Sequence, residues 1–219
     1  MLTIPKAIAQ LARANHFTYL NRYTYGITPG ITLADLPDFI YGSYCGIVLP
    51  LCGVIVTVVM MFNRATFPTL ASAFAEHYRT SVYTRVRKLS RTLLLTASAV
   101  SLPAGIALAL FAPHILHILY PTRAAEAAVA LSPLVLSAVA AVLSSLCGTL
   151  LCILTAAGKN RVQFALAALC AVVKIVGNVT LVPLLGVNGA VAANIISFAA
   201  AGMAGAAVLR RMLRGQLAA

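Results

Sequence analysis

The run Ala165-Leu-Ala-Ala-Leu-Cys-Ala-Val-Val-Lys-Ile-Val-Gly-Asn-Val-Thr-Leu-Val-Pro183 decides what kind of protein this chain is. It carries one full charge, Lys174, among apolar and small residues. With its flanks it makes a helix that, at about 1.5 Å per residue, is long enough to cross a hydrocarbon layer of about 30 Å. About twelve residues lie on either side of Lys174, so its amine is expected near the midplane. A charge at that depth costs about 2.5–3.5 kcal/mol on insertion scales, so a sequence that keeps one has a use for it.

The rest of the chain agrees with that reading. Of 219 residues, 61% are hydrophobic and 9% charged, and the mean hydropathy is +0.96. Soluble domains are about a quarter charged. The expected fold class is therefore all-α: a polytopic membrane helix bundle with the lipid bilayer as its first partner. Five stretches are long and apolar enough to span: 40–62, 92–111, 134–157, 162–185 and 190–209. The third apolar run starts well before residue 134, and Pro133 is expected to separate an interfacial segment from the span proper. Pro50 and Pro103 fall inside the first two spans, where neighbouring helices or water can re-satisfy the freed carbonyls.

The net charge of +12 does not point to nucleic acid, because no RNA- or DNA-binding motif accompanies it. The cations sit between apolar runs instead, and their alternation gives an orientation. The connection 63–91 holds Arg64, Arg79, Arg85, Arg87, Lys88 and Arg91 against Glu76. The turn Gly158-Lys-Asn-Arg161 is basic, and the tail 210–219 has Arg210, Arg211 and Arg214, whereas the intervening loops have Arg123 with Glu126, or no charge. These basic parts are expected in the cytoplasm, the C-terminus included, in the inner or plasma membrane. Within 63–91, the pattern Phe67-Pro-Thr-Leu-Ala-Ser-Ala-Phe-Ala-Glu-His-Tyr-Arg79 reads as an amphipathic helix on the inner leaflet.

That orientation leaves 1–39 as an external or interfacial segment, before a five-span domain at 40–209. Its own Lys6, Arg13 and Arg22 against Asp35 and Asp38 strain the placement, which suggests a longer protein with a further span upstream.

Covalent chemistry finds no support. The cysteines Cys45, Cys52, Cys147, Cys152 and Cys170 lie in apolar runs without a Cys-x-x-Cys pair and read as small hydrophobes. His16, His77, His114 and His117 are scattered, with four acidic residues in the whole chain, so no metal or cofactor is expected. Walker, dinucleotide and nucleophile-elbow motifs are missing, which argues against an enzyme.

A succession of segments carries a family likeness. They are Tyr41-Gly-Ser-Tyr-Cys-Gly-Ile-Val-Leu-Pro50, Phe67-Pro-Thr-Leu-Ala-Ser-Ala-Phe-Ala75, Leu102-Pro-Ala-Gly105 and Ala112-Pro-His-Ile-Leu-His-Ile-Leu-Tyr120. Then follow Ala156-Ala-Gly-Lys-Asn160, Val173-Lys-Ile-Val-Gly-Asn178 and Leu181-Val-Pro-Leu-Leu-Gly-Val-Asn-Gly-Ala190. In order and spacing these resemble the second half of the oligosaccharide flippases of the multidrug/oligosaccharidyl-lipid/polysaccharide superfamily, most closely the stage V sporulation protein B type. The resemblance implies two helical lobes that rock about a central cavity, a lipid-linked sugar pyrophosphate as substrate, and a second lobe or subunit as partner. It is similar too to multidrug and toxic compound extrusion antiporters, although those commonly carry acidic residues in their helices and this chain has none in its spans. A truncated, non-transporting membrane protein is the alternative from a different class.

Lys174 and Asn178 are four residues apart and share a helix face, with Cys170 above and Leu181 below. No internal salt bridge is open to Lys174, and its side chain of about 6 Å cannot snorkel from the midplane to an interface. It must meet a wet cavity, polar groups or an outside anion. Two readings follow. In one, Lys174 and Asn178 are substrate-binding residues that meet the pyrophosphate the resemblance implies. In the other, Lys174 and Asn178, with Thr180 or Ser144, form a polar clamp between helices. Ser132, Ser137, Ser144, Ser145, Thr149 and Gly148 give the third span a small, polar face suited to close helix packing.

Overall fold

The computed structural model describes residues 48–80, 83–119 and 124–213. The expectations for 1–39, for the start of the first span at residue 40, for Arg123 and for the end of the basic tail lie outside these residues. Among the described residues every regular element is helical: α1 (Leu49–Thr80), α2 (Tyr83–Leu110), the short α3 (Ala112–Leu119), α4 (Ala124–Ala156), α5 (Asn160–Leu185) and α6 (Val187–Leu213). Five of them are long and apolar enough to cross a bilayer, at Leu49–His77, Thr84–Leu110, Leu131–Ala156, Asn160–Leu185 and Val187–Met212. The chain is a multi-pass membrane protein built wholly from helices in its described part, as the hydropathy pattern requires.

Helix α4 is the axis of the bundle. Helices α1, α2, α3 and α6 all pack on it, while α5 packs chiefly on α6 and barely reaches α4. Small side chains make these approaches possible. A Cβ on Gly105 of α2 would stand 2.5 Å from Val142 Cγ2 of α4, and one on Gly148 of α4 would stand 3.2 Å from Met60 Sδ of α1. Where α5 crosses α6, a Cβ on Gly177 would come within 2.9 Å of Ala193 Cβ.

Two apolar clusters close the bundle at its ends. At one end Val48, just before α1, Ile55 of α1, Leu116 of α3, Leu134 and Ala138 of α4 and Val191 of α6 are buried together. At the other, Leu70 and Phe74 of α1, Val86 of α2, Ile153 of α4 and Leu209 of α6 do the same.

This second cluster explains what becomes of the connection 63–91. Its described residues are helical, continuing α1 to Thr80 and starting α2 at Tyr83. The apolar side of the amphipathic pattern, Leu70, Ala73 and Phe74, is buried against protein rather than left for the leaflet. The exposed Arg85–Glu76 ion pair ties the two helices where the chain reverses.

Helix α4 likewise runs without a break through Pro133, which is buried. At 33 residues it is about 50 Å long, so the expected interfacial segment and the span are one helix that overshoots the hydrocarbon. Proline is tolerated within membrane helices where neighbouring groups or water re-satisfy the freed carbonyl.

The two short connections are set by glycine. Gly158 (φ 70°) turns the chain between α4 and α5, and Gly186 (φ 60°) turns it between α5 and α6. Both sit in the left-handed region, which costs glycine nothing.

Candidate functional site on the peripheral helix

Span α5 covers Asn160–Leu185, and Lys174 lies one residue past its middle. At about 1.5 Å per residue that sets its Cα about 2 Å from the helix midpoint. Lys174 is therefore at the middle of the helix as folded. The azimuth is new information. Lys174 is exposed, on a helix only 6% of whose span window is buried, among the exposed apolar residues Val172, Ile175 and Val176.

Asn178, one turn further on, is half-buried beside the Gly177–Ala193 crossing. Its Oδ1 is shielded and has no hydrogen-bond partner among the described residues. Asn194 of α6, next to Ala193, has an Oδ1 in the same condition. A shielded carbonyl oxygen without a donor costs about 1–3 kcal/mol, so this crossing holds two acceptors that a donor would stabilise. The structure sets the other members of the proposed clamp apart from Lys174. Thr180 donates to the Val176 carbonyl of its own helix at 2.9 Å, and Ser144 lies on α4, which α5 barely touches.

A buried and hydrogen-bonded polar group lies elsewhere, where α1 meets α4. Asn63 (2% exposed) donates from Nδ2 to Thr149 Oγ1 at 3.0 Å. Thr149 Oγ1 is 2.9 Å from the Ser145 carbonyl and 3.3 Å from Asn63 Oδ1, either of which can take its proton. Cys152 Sγ reaches the Asn63 carbonyl at 3.8 Å. Asn63 drew no notice in the sequence because a single amide at the end of an apolar run looks interfacial, and its partner is 86 positions away. The partner's side, by contrast, was legible: Ser137, Ser145 and Thr149 are all buried on the small face of the third span.

Chemically the Asn63 group has its polar atoms turned to one another. Lys174 is the opposite, a donor with no hydrogen bond or ion pair among the described residues. Among those residues no three histidine, cysteine or acidic side chains are gathered as a metal would need. No protein-family model, curated protein or solved structure matches this chain.

Proposed function

We propose that this chain carries part of the path by which a lipid-linked oligosaccharide or polysaccharide precursor crosses the inner or plasma membrane, by alternating access and without covalent chemistry. The observation that carries the reading is Lys174: a cation at mid-depth on the open side of the least buried span. Facing lipid it would cost about 2.5–3.5 kcal/mol, so that side of α5 is expected to border a wet cavity or an anionic group. The pyrophosphate of a lipid-linked sugar supplies such a group, with Asn178 one turn away as a hydrogen-bonding neighbour. The likeness in segment order to oligosaccharide flippases supports the same cargo, and a second helical lobe across the cavity would cover the Lys174 face of α5. On this reading the basic end of the bundle is cytoplasmic.

The test is flipping of a fluorescent isoprenoid pyrophosphate sugar in proteoliposomes, with the chain alone and with its co-purifying membrane partners. Lys174→Met is expected to lower the rate at least tenfold at normal protein levels, and Lys174→Arg to retain most of it. Unchanged flipping by Lys174→Met, or no flipping by the wild-type chain in either setting, overturns the reading.

A further inference from the structure

The α5–α6 pair brings cations together that the sequence keeps far apart. Three close approaches fix its antiparallel register: Gly189 against Leu181, Gly177 against Ala193, and Gly205 against Leu166. Continued to the end of the pair, this register sets Arg161 of α5 level with Arg210 of α6. Lys159 in the turn before α5 and Arg211 complete a group of four cations on two touching helices. Arg161, Arg210 and Arg211 are exposed and Lys159 is half-buried.

No carboxylate of the described residues offsets them. Glu76 is paired with Arg85 between α1 and α2, and Glu126 lies near the start of α4, at the opposite end of the bundle. Directly below Arg161, towards the membrane interior, one face of α5 presents Ala165, Ala168 and Val172, flanked by Phe164, all exposed. A cluster of cations set above an exposed apolar track is the chemistry of a phospholipid with an anionic headgroup: phosphate oxygens above, acyl chains below.

We propose that Lys159, Arg161, Arg210 and Arg211 form a seat for the headgroup of an anionic membrane phospholipid, whose acyl chains lie along the Phe164–Val172 side of α5. The seat is separate from Lys174, which is at mid-depth, and it stands whatever the chain transports.

The full chain, purified in mild detergent, is offered equal amounts of phosphatidylglycerol and phosphatidylcholine, and bound lipid is read by native mass spectrometry. The wild type is expected to favour the anionic lipid at least tenfold, and each cation removed to lower that preference about twofold. K159Q/R161Q/R210Q/R211Q is expected to bind the two lipids about equally, while R87Q/K88Q, which removes cations from α2, keeps the wild-type preference. R161Q alone gives a smaller loss in a milder variant, should the fourfold change impair folding. Equal binding of both lipids by the wild type, a preference that R161Q leaves unchanged, or an equal loss in R87Q/K88Q would overturn the seat. So would displacement of the bound lipid by soluble glycerol 3-phosphate, which would make this a site for free phosphates.

Discussion

Helices α4 and α5 are almost equally apolar, with span hydropathies of 2.2 and 2.1, yet 56% of the α4 window is buried and 6% of the α5 window. Hydropathy marks both as spans and does not tell axis from periphery. The reason lies in the solvent: lipid tails are as apolar as leucine, so burial inside a membrane bundle is not driven by removing apolar surface from water. Shape and polar satisfaction separate the two helices instead. Helix α4 buries Ser137, Ala138, Ala141, Ser145 and Thr149. Helix α5 exposes Val172, Ile175, Val176 and Val179. In that company Lys174 is the residue out of place, which is why its surroundings carry the functional proposal.

The sharpest way to break this contrast is to detach α5 altogether. Gly189, in the first turn of α6, lies so close to α5 that an added Cβ would stand 2.2 Å from the Leu181 carbonyl oxygen and 2.5 Å from its carbon. Both are backbone atoms and cannot rotate aside. Gly189→Ala is expected to cost about 3 kcal/mol, the upper end for overpacking, measured by steric-trap unfolding in bicelles. A cost below about 1 kcal/mol would mean that the pair slides freely and that its register is loose.

The axis can be challenged in the same currency. A Cβ on Gly105 meets Val142 Cγ2 at 2.5 Å, a side-chain atom, but valine is stiff at χ1 and this one is buried. Gly105→Ala is expected to cost about 2 kcal/mol in the same assay, less than Gly189→Ala because a side chain yields more readily than a backbone. The reverse order would show that α2 holds α4 more rigidly than α6 holds α5.

How far the sequence disclosed this arrangement follows from what each residue answers to. Span number, the turn at Gly158 and the mid-helix position of Lys174 depend on apolar length and backbone freedom, both local, and all were legible. The burial of the 63–91 helices against protein was not, since an amphipathic segment reads alike whether its Leu70 and Phe74 meet lipid or, as here, Ile153 and Leu209. Pro133 misled for a related reason: whether proline ends a helix depends on the neighbours that surround it. The outward azimuth of Lys174 and the pairing of Asn63 with Thr149 are tertiary facts, set by which helices touch, and no local pattern encodes them.

Asn63→Leu tests whether polar pairing or shape holds α1 to α4. The substitution removes the bond to Thr149, whose hydroxyl keeps the Ser145 carbonyl as acceptor, so no buried donor is left stranded. The expected loss is about 1 kcal/mol, in the range of side-chain hydrogen bonds between membrane helices. A loss above about 3 kcal/mol would make this pair the main clamp of the bundle, exceeding what such bonds ordinarily contribute.

The smallest expected effect carries the most information about the periphery. Phe164 on α5 is 76% exposed. Against lipid its ring and the lipid that replaces it are equivalent, so Phe164→Ala is expected to change the unfolding free energy of the isolated chain by under about 0.5 kcal/mol. The same variant can be followed in native membranes through its resistance to heat and protease. Wild-type resistance there would leave α5 facing lipid at this level, as the phospholipid seat requires. A marked loss in membranes but not in the purified chain would mean that another protein packs on Phe164. The open side of α5 would then be an interface down to its basic end, and the phosphate-binding cations would belong to that interface.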